Sequence, residues 1–238
     1  DGVETIVMLG APDILSESIA DENSRVWVTE RTAEYASQAK RLVLIAKADT
    51  LSDTLSGVAL KPLALYVLSN PLRAGTREII SFFQDRGVRI RVISGDHPET
   101  VRAIAEQAGV KHSDFLVTGA EMATWDAEAF EERVPAYHVF ARVHPEQKEK
   151  IIQLLKRNGF TAMVGDGAND ALAIKQADLG IAMFDGAGAT RQIAQVVLMN
   201  NSFAALPTGV EIAETIITNI GLVAGVFFYK VATGFLVF

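Results

Sequence analysis

Hydrophobic and polar positions change their spacing along the chain, and each spacing predicts a different element. From residue 63 onward, short apolar runs that suit buried strands alternate with segments whose apolar residues recur three or four positions apart, as in amphipathic helices. The predicted strands are LALYVLS, VRIRVIS, YHVFARV, FTAMVG, LGIAM and QVVLM. The predicted helices lie in AGTREIISFFQDRG, HPETVRAIAEQAG, PEQKEKIIQLLKRNG and NDALAIKQA. This alternation predicts a parallel sheet covered by helices on both faces, which is an α/β fold.

The beginning of the chain lacks this regular alternation. Two strand-like runs, TIVMLG and RLVLIAKAD, enclose a polar stretch and the helix-like segment VWVTERTAEYASQAKR. Gly57 and Pro62 follow in GVALKP and are typical of a boundary between domains. We therefore expect an α+β unit over residues 1–58 and the α/β domain over residues 59–208.

Residues 209–238 show a third pattern, in which the apolar positions leave little room for a polar face. IGLVAGVFFY and VATGFLVF are separated only by Lys230, and a transmembrane helix needs about 20 predominantly apolar residues. A buried core helix is the alternative, although its polar face would be thin beyond Gly221. We expect a stalk helix that leads into a membrane span, with lipid as a partner. Because the chain does not begin with Met, we also expect it to belong to a longer polypeptide.

Charge and composition narrow the class of protein further. A net charge of -7 leaves no basic stripe with which to neutralise phosphates, so we expect no nucleic-acid partner. Hydrophobic residues make up 49% of the chain, which is enough for a sizeable core. The sequence contains no cysteine, which excludes disulfide bonds and thiolate metal sites within it.

Acidic residues cluster where the predicted strand FTAMVG ends, in the sequence GDGAND at 165–170. Asp166 and Asp170 are candidate ligands of Mg²⁺, which prefers carboxylate, water and phosphate oxygens. Three neighbours would support the metal or a phosphate through close backbone approach or an uncharged amide: Gly165, Gly167 and Asn169. The alternative is an Asx-type turn that caps the next helix, and such a cap needs only one of these side chains.

A second polar loop follows the predicted strand VRIRVIS. The hydroxyl of Ser94 and the N–H of Gly95 suit a phosphoryl oxygen, because ligands of parallel sheets bind at the carboxyl ends of the strands. Ser94 could alternatively cap the following helix. Lys148, near the start of another predicted helix, could stabilise phosphoryl charge or could be an ordinary solvated lysine.

Together these motifs resemble the haloacid dehalogenase superfamily of phosphoryl-transfer domains, and most closely its P-type cation-transporting ATPases. The resembling segments span almost the whole chain and include LGAPD, SNPLR, ISGDHPET, FARVHPEQKEKII and VGDGANDALAIKQADLGIAM. The resemblance implies a haloacid dehalogenase-like, Rossmannoid phosphorylation domain that follows the end of a nucleotide-binding domain. It also implies ATP and Mg²⁺ as cofactors, a transported cation such as calcium, and a multi-pass protein of the cell membrane. This segment would lie mainly on the cytoplasmic side and work with the rest of the same polypeptide.

The resemblance also assigns roles to individual residues. Asp166 would bind Mg²⁺ with Asn169 and Asp170 in support, and Lys148 would stabilise the charge of the phosphoryl group. Ser94 and Gly95 would hold that group, and Asp96 would sit beside it. We call these three residues the phosphoryl loop. The nucleotide would contact Gly10 and Ala11 at its adenine, Arg41 at its phosphates, and Arg73 and Arg142 where it bridges the two domains.

The chain departs from the family pattern at several points. The nucleophile motif Asp-Lys-Thr-Gly-Thr, whose carboxylate forms an aspartyl-phosphate, does not occur in it, so we expect no autophosphorylation by this chain alone. Leu9 stands where the family has an adenine-site Lys, Asn70 where it has an acidic residue, and Ser94 where it has Thr. One alternative is a soluble phosphatase of the superfamily, although Asp49 and Asp53 match its Asp-x-Asp nucleophile poorly. Another is a non-catalytic regulatory module that binds nucleotide or Mg²⁺.

Overall fold

The first part of the chain forms a three-stranded antiparallel sheet. The computed structural model describes residues 5–50, 52, 54–69 and 71–235, except for the side chains of 232–235, and Asp53 and Asn70 lie outside the described residues. The strands follow one another in the sheet: β1 (Ile6–Gly10), β2 (Arg41–Ala48) and β3 (Leu60–Leu68). Leu9 of β1 lies opposite Ile45 of β2, and both neighbouring pairs are antiparallel.

Helices cover one face of this sheet. The short α1 (Pro12–Leu15) begins at a proline, and α2 (Glu22–Ala36) is capped by Asp21, whose carboxylate accepts from the N–H of Ser24 at 2.8 Å. The core between helices and sheet includes Leu15, Ile19, Val28, Leu44, Ala46 and Leu60. Because side chains alternate along a strand, the other face carries a second apolar set. Its exposed members include Val7, Leu9, Tyr66 and Leu68.

The structure corrects one predicted strand. The apolar run LALYVLS was expected in the parallel sheet, but it lies in β3, which pairs antiparallel with β2. Parallel pairing of consecutive strands needs a long crossover, usually a helix, and no helix separates β2 from β3 among the described residues. An apolar run does not by itself specify the strand that pairs with it. Although β3 begins after the predicted boundary at residue 58, it belongs to the first sheet, and the predicted domain limits stay predictions.

Helices and parallel strands alternate after β3, as predicted. The strands are β4 (Val92–Ile93), β5 (Leu116–Thr118), β6 (Val139–Ala141), β7 (Ala162–Gly165), β8 (Leu179–Met183) and β9 (Val196–Leu198). The helices are α3 (Thr76–Asp85), α4 (Pro98–Gln107), α5 (Gly119–Ala123), α6 (Ala127–Arg133), α7 (Pro145–Arg157), α8 (Ala171–Gln176) and α9 (Gly188–Ile193). The expected α/β class is confirmed. We call the elements β1 to β3, with α1 and α2, the first unit, and the elements α3 to β9 the second unit.

The parallel strands of the second unit form two sheets rather than one. One sheet has the order β4-β6-β5 and the other the order β7-β8-β9. Helix α7 joins their cores, because Ile151 packs in the core around Phe140 whereas Ile152 packs in the core around Met163. Ile93 of β4 packs against both cores. In the described part of the chain, β4 pairs only with β6 and β7 only with β8, so each strand has one edge without a partner.

The described side chains of the last helix, α10 (Ala205–Phe235), are mostly exposed. Its segment Ala205–Val231 is long and apolar enough to cross a membrane, and none of its most apolar stretch is buried inside the protein. Within the described residues, α10 is therefore not a core helix of either unit. Near its start α10 touches α3, where Arg86 and Glu214 lie 3.9 Å apart. The helix begins a few residues earlier than the predicted limit at 209.

Candidate functional site

A cavity of about 450 Å³ lies between the first and second units. Both units contribute to its wall: Gly10, Ala11, Asp13 and Arg41 come from the first, and Gly95, Asp96, His97, Thr100 and Arg142 from the second. Four of the five residues predicted to contact a nucleotide are in this set, together with two of the three residues of the predicted phosphoryl loop. Segments that are far apart in sequence thus converge on one cavity of a size that suits a small ligand.

Arg142 holds the two units together at this cavity. Its Nε donates to Oδ2 of Asp13 at 2.9 Å, and its Nη2 donates to the other oxygen of the same carboxylate. Its Nη1 donates to the carbonyl of Gly95 at 2.9 Å. A second ion pair joins the units where Nε of Arg41 lies 3.1 Å from Oδ1 of Asp96. The bidentate pair of Arg142 and Asp13 is the less exposed of the two, and two parallel hydrogen bonds make it the stronger interaction.

The loop after β4 is organised by its own side chains. The N–H of Ser94 donates to the carbonyl of Phe140 at 2.8 Å, which continues the pairing with β6. The hydroxyl of Ser94 accepts from the N–H of Asp96 at 3.2 Å, so it closes a turn. The N-cap of α4 is His97, with no capping bond from its side chain. The alternative in which Ser94 caps the helix is therefore wrong.

Gly95 opens this loop toward the cavity. A Cβ atom placed on Gly95 would meet no atom closer than 3.9 Å, the carbonyl oxygen of Val143. The backbone of Gly95 is exposed on the cavity wall. Packing therefore imposes no need for glycine there, whereas an approaching ligand would gain the space that a side chain would fill.

The loop after β7 contains a buried ion pair. Nζ of Lys148 lies 2.7 Å from Oδ1 of Asp170, and their side chains are only 11% and 13% exposed. Oδ2 of Asp170 also accepts from the N–H of Gly167 at 3.2 Å. Lys148 is thus not a solvated lysine, and that alternative is wrong. A Cβ on Gly165 would lie 2.7 Å from the Cβ of Asp170, so glycine is required where the loop leaves β7.

Asp166 differs from Asp170 in its surroundings. Its side chain is exposed, as is that of Asn169, and its carbonyl accepts from the N–H of Ala187 at 2.7 Å. The carboxylate of Asp170 is already compensated by Lys148, which leaves Asp166 as the better candidate for a metal ligand. No group of three or more His, Cys, Asp or Glu residues that could hold a metal occurs among the described residues. A Mg²⁺ ion bound by Asp166 would take its remaining ligands from water and phosphate, as such ions usually do.

Arg73 is not brought to the cavity. Its guanidinium donates to the carbonyl of Asn201, in the turn that precedes α10. Asn201 has a left-handed φ of 53° and its side chain pairs with Asp185, to whose Oδ2 its Nδ2 donates at 2.6 Å. Arg73 lies between β3 and α3, and neither element contributes a residue to the cavity wall. The position expected for Arg73 from the resemblance is thus not the one that the structure has.

His97, Thr100 and Asp13 are wall residues that the sequence analysis did not single out. Nδ1 of His97 is buried without a hydrogen-bond partner in the described part of the protein. Burial lowers the pKa of His97 below its ordinary value of 6.5, an effect that Asp13 opposes and Arg142 reinforces. The imidazole is therefore mostly neutral at neutral pH, with one ring nitrogen as a hydrogen-bond donor and the other as an acceptor. The position of His97 directly after Asp96 was the only sequence signal for it.

The family of the chain is shown by comparison with known proteins. The haloacid dehalogenase-like hydrolase family matches residues 3–178, and the chain belongs to that family. Related proteins are named as calcium- or cation-transporting ATPases. They include the calcium-transporting ATPase CtpE of Mycobacterium tuberculosis, 37% identical over 94% of this chain, and the probable cation-transporting ATPase exp7 of Streptococcus pneumoniae, 34% identical over 97%. A calcium-transporting ATPase of Bacillus subtilis is 32% identical over 90%.

These relatives are much longer than the chain. The alignments span 27%, 28% and 26% of the three proteins, in the same order. The chain thus corresponds to about a quarter of each. The resemblance to cation-transporting ATPases that its motifs indicated is confirmed, as is its match to one part of such a protein.

Proposed function

We propose that the chain is part of an ATP-driven cation pump of the membrane, in which it binds ATP between its two units and takes part in phosphoryl transfer. The observation that carries this proposal is the convergence on one cavity of Gly10, Ala11, Arg41, Gly95, Asp96 and Arg142. The guanidinium groups of Arg41 and Arg142 lie at the junction of the two units, where they could bind phosphates. Each also pairs with a carboxylate, Arg41 with Asp96 and Arg142 with Asp13. The names of the relatives support a cation as the transported species, and calcium is the cation that we propose.

The reaction would proceed in two steps. A carboxylate oxygen would attack the γ-phosphorus of ATP, the bond to the bridging oxygen of ADP would break, and an aspartyl-phosphate would form. Water would then attack this phosphorus and release inorganic phosphate and the free carboxylate. Bound Mg²⁺ would neutralise charge on the transferring phosphate. Asp166 would hold that ion, Lys148 would stabilise the phosphoryl oxygens, and Ser94 with Gly95 would orient them.

The nucleophilic carboxylate would come from the rest of the polypeptide. The unpaired edges of β4 and β7 offer backbone groups to a further strand. Both edges lie beside the loops that carry Ser94 and Asp166. Asp49, the described candidate for a nucleophile within the chain, follows a strand of the antiparallel sheet, and its Oδ1 accepts from the N–H of Ala59 at 3.0 Å. That structural role weakens the alternative of a free-standing phosphatase.

The proposal is tested by phosphoenzyme formation in membranes that contain the full-length protein. Radiolabelled ATP should produce an acid-stable, alkali-labile phosphoprotein, and Asp166→Asn should abolish it while the protein still inserts and folds. Asp114→Asn is the matched control, because Asp114 has an exposed side chain on the second unit. We expect Asp114→Asn to phosphorylate like the parent. The chain by itself should show no ATP turnover above an Asp166→Ala control.

Two results would contradict the proposal. If the full-length protein binds ATP but forms no phosphoenzyme, the chain belongs to a non-catalytic nucleotide-binding module. If Asp166→Asn phosphorylates like the parent across a titration of Mg²⁺, the loop at 165–170 is a structural turn rather than part of a metal site.

A further inference from the structure

We infer that Asp13 is a positioning residue for phosphoryl transfer, which acts by holding Arg142 against the carbonyl of Gly95. Through this contact, docking of the first unit would set the conformation of the phosphoryl loop in the second unit. The inference rests on the proposed function. It assigns a role to Asp13 that neither its sequence motif nor its place in the short helix α1 indicates.

The hydrogen bonds of Arg142 carry the inference. Three of the five N–H groups of its guanidinium are engaged, two by the carboxylate of Asp13 and one by the carbonyl of Gly95. Asp13 and Arg142 are separated by 129 positions in sequence and lie in different units. The guanidinium is planar, so fixing two of its nitrogens on Asp13 also fixes the third on Gly95.

The backbone of Arg142 is held as firmly as its side chain. Arg142 has a left-handed φ of 52°, which is unfavourable for a residue with a Cβ. Its N–H donates to the carbonyl of Asp96 at 3.3 Å. On the opposite side, its carbonyl packs so closely on Gly119 that a Cβ there would lie 2.2 Å away. The backbone therefore has little freedom to move when the side chain loses its partner, and the loss should be expressed at Gly95.

The other ion pair between the units has different properties. Arg41 and Asp96 are 65% and 34% exposed, compared with 24% and 28% for Arg142 and Asp13. Solvent screens the more exposed pair more strongly. Asp96 is also part of the phosphoryl loop itself, whereas Asp13 reaches that loop only through Arg142. Asp13 is thus the residue of the first unit whose effect on the loop can be isolated.

Neutralising Asp13 distinguishes a role in positioning Arg142 from a role in binding ATP. ATP is an anion, so a carboxylate on the cavity wall opposes its entry. If Asp13 served nucleotide binding, its neutralisation would weaken that binding. If it positions Arg142, Asp13→Asn should leave ATP affinity equal or higher and yet slow phosphorylation roughly ten- to hundredfold, the range typical of lost orientation.

The test compares variants of the full-length protein in membranes. ATP affinity is measured from protection against proteolysis or from a fluorescent nucleotide, and the rate of phosphoenzyme formation is measured by rapid quench. The variants are Asp13→Asn, Asp13→Glu, Arg142→Gln and the double variant Asp13→Asn/Arg142→Gln. Glu17→Gln is the control, because it removes the same charge from an exposed position four residues away.

We expect Asp13→Asn to lower the rate without weakening ATP binding, and Asp13→Glu to recover part of the rate. In the Arg142→Gln background, Asp13→Asn should have no further effect, because Asp13 acts through Arg142. Glu17→Gln should match the parent. An additive double variant, or equal losses of affinity and rate, would overturn the inference. A parent protein that forms no phosphoenzyme would instead contradict the proposed function, so the two failures are distinguishable.

Discussion

Two ion pairs mark the two loops of the candidate site, and they differ in what they connect. Lys148 and Asp170 are 22 positions apart, lie in the same unit and are nearly inaccessible to solvent. Arg142 and Asp13 lie in different units, and about a quarter of each side chain is exposed. These are the two most sheltered ion pairs of the described chain. One pair thus stabilises a loop within the second unit, whereas the other links the first unit to the second.

The energetic consequences of the difference follow from burial. A buried charge that loses its partner is strongly destabilising, because the remaining ion cannot be solvated. A pair at the junction of two units can be exchanged for water or for a ligand when the units separate. The first pair should therefore influence stability more than regulation, and the second should influence rate more than stability.

The largest effect is expected for Lys148→Met. The substitution keeps the apolar length of the side chain but leaves Asp170 buried without a cation, and we expect a loss of about 3–5 kcal/mol in the free energy of unfolding. Denaturant unfolding of the chain measures it. Lys150→Met, at an exposed position of the same helix, should change stability by less than about 0.5 kcal/mol. Similar results for the two variants would show that the pair contributes nothing to the fold.

A smaller effect is expected for Gly165→Ala, which tests the close packing of Gly165 against Asp170. The added Cβ would lie 2.7 Å from the Cβ of Asp170, and overpacking of this kind costs about 1–3 kcal/mol. Gly167→Ala is the matched control, since its Cβ would approach Asp170 only to 3.4 Å from Oδ2. Thermal unfolding of both variants should rank Gly165→Ala clearly below Gly167→Ala. The reverse order would mean that the loop can relax away from Asp170.

The smallest effect is expected for the pH dependence of stability. It depends on His97, on which the paired Asp13 and Arg142 both act. Burial holds the pKa of His97 below 6.5, and Asp13 and Arg142 act on it in opposite directions. Well above pH 6.5 the imidazole is neutral in both the folded and the unfolded protein, so there it makes no contribution to pH dependence. As the pH falls below 6.5, the unfolded state takes up the proton first and stability declines, until the pH reaches the folded-state pKa.

His138 contributes in the same direction, because burial also lowers its pKa. Unfolding measured between pH 7.5 and pH 5 should therefore be flatter for His97→Gln than for the parent, and flatter again for His97→Gln/His138→Gln. Asp13→Asn removes a charge that raises the folded-state pKa of His97. The decline should therefore begin at the same pH as in the parent and extend to a lower pH. A parent whose stability rises as the pH falls through this range would contradict the assignment.

Several features of the fold could be predicted because they are local. The spacing of apolar residues identified the helix that carries Lys148 and the strands that end before Ser94 and Asp166. The loop GDGAND stood out because its polar residues are contiguous, and its glycine at 165 has a local steric cause in Asp170. The extreme apolarity of the last segment likewise identified α10 as a candidate membrane helix.

Other features depended on contacts between distant parts of the chain. No periodicity distinguishes Asp13 from any other acidic residue near the start of a helix, and its meeting with Arg142 depends on how two units pack. The same is true of β3, whose apolar pattern fits either sheet, and of Arg73, whose partner Asn201 is 128 positions away. Short-range patterns determined which elements form and which loops are polar. Only the tertiary structure decided which strands pair and which charges meet, because those outcomes depend on the packing of surfaces that are remote in sequence.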